Sequence, residues 1–215
     1  DIEYVPVGDI SSKINWLDKL NGYECIIHCA GRSHVMNDRD ETDLYKRVNF
    51  EATKELAEQA AKAGVSRFIF LSSIKVNGES ESKNDKNLIN TKIFTSFDLP
   101  NPQDLYSISK FQAEKALWEV SAKTGLQIVI LRIPLVYGKG VKGNLSRLIK
   151  LVNSGIPLPF SLLNNQRSLI GIDNLVDILI RCIDHKDATG KTLMVSDDED
   201  ISTPNLLRLI GSAMG

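Results

Sequence analysis

Phe68-Ile69-Phe70-Leu71-Ser72-Ser73 is a short apolar run with no polar alternation that closes on two hydroxyls. A strand written this way has both faces buried, which is the pattern of a parallel sheet covered by helices on each side. Working outward, similar short runs recur at Cys25-Ile26-Ile27-His28, Gln127 to Arg132 and Lys191 to Val195. Helical patterns separate them. One runs from Thr42 to Ala63 and stops at Gly64; the next carries Tyr106 and Lys110 to about Lys123 and stops at Gly125, glycine being a good helix terminator. Repeated strand, helix, strand units predict an α/β fold built on a doubly wound parallel sheet. At the N-terminal side a strand from Ile2 to Val7 and a helix over Ser12 to Leu20 are expected, and Asn77 to Pro102 reads as a long polar loop. Beyond Pro134 the pattern loosens. A helix over Leu145 to Asn153, the stretch Ile156-Pro157-Leu158-Pro159-Phe160, a strand Ser168 to Ile172, a helix Asp173 to His185 and a last helix after Thr203-Pro204 suggest a small second lobe. The expected division is 1–143 for the core and 144–215 for the lobe, interleaved with the core.

The chain has 215 residues, 42% apolar and 25% charged, enough for one sizeable core or a core plus a small lobe. A net charge of -1 with mixed signs leaves no footprint for a polyanion, so nucleic acid is not an expected partner. Cys25 and Cys29 on one strand and Cys182 in an apolar helix read as buried thiols of a reducing compartment, hence a cytoplasmic location. No Cys-x-x-Cys or paired-His spacing points to a metal. No apolar run approaches the roughly 20 residues that span a bilayer, so no membrane insertion is expected. The chain opens without Met on Asp1-Ile2-Glu3-Tyr4-Val5, within an apparent strand, so a preceding segment is expected.

Tyr106 and Lys110 lie four apart and share one helix face. An ordinary phenol has a pKa of about 10, and service as a base near neutrality needs a drop of roughly 3 pH units, or ~4 kcal/mol. A cation about 4 Å away at an effective dielectric of ~20 supplies ~4 kcal/mol. Such a pair also arises by chance, and it gains weight from Ser73 at the end of the preceding strand. Gly138-Lys139-Gly140-Val141-Lys142-Gly143 spells a dinucleotide fingerprint. No acidic residue follows about 20 positions on to hold a ribose, so it reads as a glycine turn beside the substrate. His28, His34 and His185 do not suggest a relay, the first being on a strand and the last closing a helix.

With these pieces in place, the chain resembles the extended short-chain dehydrogenase/reductase family, in particular its NAD-dependent nucleotide-sugar epimerases, dehydratases and reductases of the UDP-glucose 4-epimerase kind. The resemblance rests on Val7-Gly8-Asp9-Ile10, Ile26-Ile27-His28-Cys29-Ala30-Gly31, Val48-Asn49-Phe50-Glu51-Ala52-Thr53, Phe70-Leu71-Ser72-Ser73 with Val76-Asn77-Gly78, Tyr106 with Lys110, Arg132 to Gly140, and Arg167 to Asp173. It implies a Rossmann-like sheet lacking its first βα units in this chain, with on the order of 50 residues preceding Asp1 at about 30 per βαβ unit. It implies NAD as cofactor, with NADP left open because the deciding strand end is absent.

Position by position, the resemblance implies that Asp9 and Ile10 flank the adenine, that Cys29, Ala30 and Gly31 bring a strand end against the cofactor, and that Asn49 lines the same groove. On the residues alone, Asp9 also reads as a turn residue and Asn49 as a solvated helix position. Ser73, with Ser72 as fallback, would hydrogen-bond the reacting sugar oxygen. Tyr106 would act as base and acid, and Lys110 would lower its pKa and hold the nicotinamide ribose. Asn144 and Arg167 would face the diphosphate, and Phe160 would stack on the base or pack in the core. Leu135, Lys139 and Ala52 depart from the family's usual Asn, Pro and Gly. Ile74 and Lys75 stand where dehydratases carry an acidic pair. The implied activity is oxidoreduction at C4 of a UDP-hexose by a 4-epimerase. A 4-keto-6-deoxy-sugar reductase and a nonenzymatic nucleotide-binding scaffold are the alternatives. The family commonly pairs its two long helices in a four-helix bundle, which implies a homodimer.

Overall fold

A computed structural model describes residues 3–33, 41–79, 93–141, 143–155 and 165–214. Its centre is a parallel sheet of β1 (Cys25–His28), β2 (Arg67–Ser73), β3 (Gln127–Ile133) and β6 (Lys191–Met194), in the order β1-β2-β3-β6. Phe68 pairs in register with Ile26 on one side and Ile128 on the other. Both faces of β2 are buried, as its unbroken apolar run requires. Phe68 and Phe70 meet Leu56, Ala60, Ala113 and Leu117 of α3 (Ala52–Lys62) and α4 (Leu105–Thr124). Ile69 meets Leu175, Leu179 and Cys182 of α6 (Ile172–Asp184). At ~1.5–3 kcal/mol for each buried large apolar side chain, the two layers supply the main stabilisation of the sheet.

Local signals explain where the helices begin and end. α4 opens on a capping box: Asp104 Oδ1 accepts from Ser107 N at 2.6 Å, and Asp104 N donates to Ser107 Oγ at 3.1 Å. It ends at Gly125, whose φ of 79° is left-handed. Arg67, at the start of β2, donates from Nη1 to the carbonyls of Cys182 and Ile183 and so ties the sheet to the carboxyl end of α6.

A second cluster joins α5 (Gly143–Asn153) to α7 (Thr203–Met214) through Leu145 and Leu206, beside a two-stranded parallel sheet of β4 (Leu135–Tyr137) and β5 (Leu169–Gly171). β4 goes beyond the sequence expectation, because it resumes one residue after Pro134 and is only three residues long.

Four expectations are corrected. Residues 3–7 form no strand: they have no ladder partner among the described residues, and Tyr4 is 88% exposed. The helix expected over Ser12 to Leu20 shrinks to α1 (Leu17–Leu20), which buries no residue and so lacks the packing that sustains a longer helix. The long helix from Thr42 is three segments, α2 (Glu41–Tyr45), a π-helical turn Lys46–Glu51 and α3. The π turn carries the fully buried Asn49. Cys29 is exposed, because β1 ends at His28 and the thiol lies past the strand, while Cys182 is buried as expected.

Candidate active site at the carboxyl ends of the strands

In an open parallel sheet, ligands bind beyond the carboxyl ends of the strands. There β2 delivers its two hydroxyls in opposite directions. Ser72 Oγ points into the protein and donates to Glu114 Oε1 at 2.5 Å. Ser73 is the last extended residue before the 3₁₀ turn Ile74–Val76; its hydroxyl accepts from Lys75 N at 3.3 Å and pulls the Tyr106 pKa downward. The pleat therefore selects Ser73 of the two.

Tyr106 sits in the first turn of α4, edge-on to Tyr45 with ring centroids 6.3 Å apart. Burial raises its pKa, against which the Ser73 hydrogen bond and the Lys75 ammonium pull downward and Asp104 pulls upward. This corrects the expectation of a phenol lowered by Lys110. One turn on, Lys110 is 4% exposed, and its Nζ donates to Leu71 O at 2.8 Å and lies 4.5 Å from the centre of the Phe70 ring. Burial pulls the pKa of this ammonium down from 10.5 to about 8, with Cys29 and Glu114 acting in the opposite direction.

The end of β1 approaches the same lysine. A Cβ on Gly31 would lie 3.1 Å from Lys110 Nζ and 3.2 Å from Asn49 Oδ1, so the close approach favours glycine. Asn49 is 0% exposed, which removes the solvated-helix reading. Its Oδ1 accepts from Arg32 N at 2.7 Å, and its Nδ2 donates to Arg32 O and to Ser109 Oγ, each at 3.0 Å. The amide thus clamps the loop after β1 to α4, and the π turn aims it there. Cys29 and Ala30 are exposed at that strand end. A buried ammonium with one of its three N–H groups on Leu71 O, facing an exposed strand end without a Cβ, suits the hydroxyls of a ribose.

Beneath the hydroxyls lies an ion pair that the sequence reading missed. Arg132 Nη2 is 2.7 Å from Glu114 Oε2, Arg132 Nε donates to Glu114 Oε1 at 3.1 Å, and Arg132 Nη1 donates to Asn77 Oδ1 at 2.9 Å. Tyr106, Lys110 and Glu114 recur every four residues on one helix face. A carboxylate on that inward face was the available signal for a buried partner.

The remaining candidates stand apart from this group. Asp9 is exposed in a turn with Ser11, whose N–H and hydroxyl lower its pKa, with Ile10 partly buried beside it. Asn144 is exposed in the first turn of α5, and Arg167 is exposed and bridges its backbone to Ile201. Phe160 and His34 lie outside the described residues. A cavity of about 320 Å³ opens at the ends of β3 and β6, lined by Ile74, Phe94, Arg132, Pro134, Met194 and Asp198 among others. The glycine turn Gly138 to Gly140 follows β4, outside the four-stranded sheet. His28 donates from Nε2 to Thr53, whose own hydroxyl is spent on Asn49 O, and burial pulls its pKa down to about 3. No group of three His, Cys, Asp or Glu converges among the described residues. No helix among them is long and apolar enough to cross a membrane.

A parallel α/β sheet with Ser, Tyr and Lys gathered at its carboxyl edge defines the class, a Rossmann-like fold. The chain belongs to the NAD dependent epimerase/dehydratase family, which matches residues 2–196. It is 43% identical over 211 residues to UDP-glucose 4-epimerase of Vibrio cholerae, covering 97% of this chain and 62% of that relative. It is 26% identical over 179 residues to N-acetyl-alpha-D-glucosaminyl-diphospho-ditrans,octacis-undecaprenol 4-epimerase of Escherichia coli O157:H7, covering 82% of this chain and 50% of the relative. The chain thus spans less than two thirds of the length of these relatives. Among solved structures, MoeE5 in complex with UDP-glucose and NAD superposes with a TM-score of 0.81 at 24% identity, over 97% of this chain and 68% of that one. UDP-glucuronic acid 4-epimerase from Bacillus cereus in complex with NAD gives 0.80 at 20% identity, over 96% and 64%. At such identities these two establish the fold.

Proposed function

We propose that the full-length protein is an NAD-dependent 4-epimerase of a UDP-hexose. The observation that carries this reading is the buried ammonium of Lys110, held on Leu71 O one helical turn from Tyr106, whose pKa Ser73 pulls downward by hydrogen bonding. The 43% identity to a UDP-glucose 4-epimerase supports the choice of reaction. When bound, NAD supplies a hydride acceptor and donor for C4 of the sugar and, in its oxidised form, a positive charge. This chain's residues manage the proton. Ser73 orients the 4-hydroxyl, and Tyr106 takes its proton and returns it as the 4-keto sugar is reduced on its other face. Lys110 holds the cofactor ribose, and Gly31, Cys29 and Ala30 offer the strand end to it. Asn49 acts through the Arg32 backbone. Asp9 and Ile10 would flank the adenine, while Asn144 and Arg167 would face the nucleotide diphosphate of the substrate. Ile74 and Lys75 in place of an acidic pair favour this over a dehydratase.

The test is to supply UDP-glucose, UDP-N-acetylglucosamine and a UDP-4-keto-6-deoxy sugar to the full-length protein, following product stereochemistry and reduced-nicotinamide absorbance together. A C4 epimer without net change in cofactor is expected. Stoichiometric cofactor oxidation with the keto sugar alone would establish a reductase instead, and no binding of cofactor or turnover would leave the scaffold reading. We further propose a homodimer paired through α3 and α4, whose Leu105 and Ile108 are exposed. Light scattering at micromolar concentration should give twice the chain mass, and a monomer would reject this. The three free thiols fit a cytoplasmic location.

A further inference from the structure

Lys75 stands two residues beyond Ser73, in the 3₁₀ turn, and its ammonium lies 2.7 Å from Asp104 Oδ2 and 3.1 Å from Glu79 Oε1. Its own N–H reaches back to Ser73 Oγ at 3.3 Å. Asp104 caps α4 through Ser107 and lies two residues before Tyr106. The Lys75–Asp104 pair therefore joins the two segments that carry the reacting hydroxyls. We propose that Lys75 is a positioning residue for the reaction: clasped to Asp104, it sets Ser73 against Tyr106 and presents a positive charge to the phenol. The inference rests on the reading of Tyr106 as acid and base.

The groups facing the phenol have opposite signs. Lys75 comes from the turn after β2 and favours the phenolate; Asp104 from the helix cap and Tyr45 from α2 disfavour it. Lys110 follows one turn along α4, and Glu79 stands behind Lys75. Lys75 is thus a cation of this chain that acts on Tyr106 while Lys110 is held by Leu71 O. The pair is partly exposed, with side chains 34% and 40% accessible. Such pairs add little to stability, so the signature belongs in a titration and not in a melting curve.

The experiment places 3,5-difluorotyrosine at position 106 of the full-length protein and follows its ionisation by fluorine NMR, with no substrate required. Lys75→Met should raise the midpoint by about 0.5 to 1 pH unit. Asp104→Asn, which keeps an equally good cap, should lower it by a similar amount. Lys75→Arg should restore it. On UDP-glucose, Lys75→Met should lower kcat more than it raises KM, with the pH limb moving in the same sense. Shifts of the same sign in the two variants, or an unchanged midpoint in Lys75→Met, would overturn the proposal. Should the parent protein epimerise neither UDP-glucose nor UDP-N-acetylglucosamine, the epimerase reading falls, while the fluorine titration still decides the role of Lys75.

Discussion

Lys110→Met should make the cofactor-free protein more stable while impairing its chemistry. The lysine is 4% exposed, and burial depresses its pKa from 10.5 to about 8. A fall of about 2.5 pH units at ~1.4 kcal/mol each means that keeping the charge buried costs about 3 kcal/mol at neutral pH. Methionine removes that penalty and fills a similar volume. It forfeits the hydrogen bond to Leu71 O at 2.8 Å and the contact with the Phe70 face at 4.5 Å. Those losses offset about 1 to 2 kcal/mol, so a net gain of about 1 to 2 kcal/mol is expected. The pH dependence fixes the sign. The folded-state pKa lies below the unfolded one, so between pH 8 and 10.5 the unfolded chain binds the extra proton. Parent stability therefore rises with pH through that window, while the methionine variant lacks this component. Urea unfolding of the cofactor-stripped, full-length proteins should show the variant ahead at pH 7 and its lead reduced by about 2 kcal/mol at pH 9.5. A variant less stable at both pH values, or a gap independent of pH, would refute a charge held against its own desolvation.

Tyr106→Phe should retain nucleotide-sugar binding but lower turnover at least ~100-fold, as measured by steady-state kinetics and calorimetric titration; near-normal turnover would remove the phenol from the mechanism. Arg132→Met leaves the Glu114 carboxylate buried without its guanidinium partner, and should destabilise the protein by about 3 to 5 kcal/mol in urea unfolding. A loss below about 1 kcal/mol would show that water or another cation replaces the guanidinium.

The reading of β2, β3 and the end of α4 from sequence succeeded because the cues there are local. An unbroken apolar run, a glycine at a left-handed helix stop and a four-residue spacing each act within a turn or a strand. Ser73, Tyr106 and Lys110 were recognisable as a set on the same grounds. The strand expected over Ile2 to Val7 failed because a strand exists only with a ladder partner, which no local pattern contains. Likewise, nothing local distinguishes Asn49 in a π turn from a solvated helix residue. Its burial comes from Arg32 and Ser109, which are 17 and 60 residues away in the chain.

The electrostatic character of the site was decided entirely by tertiary structure. Sequence placed a cation one turn from a phenol. Only the packing directs Lys110 onto Leu71 O, sets Glu114 against Arg132, and brings Lys75 and Asp104 together across 29 residues beside Tyr106. A charge interacts through space, with a strength set by distance and by how much water remains between the groups. Sequence spacing specifies neither quantity beyond a single helical turn.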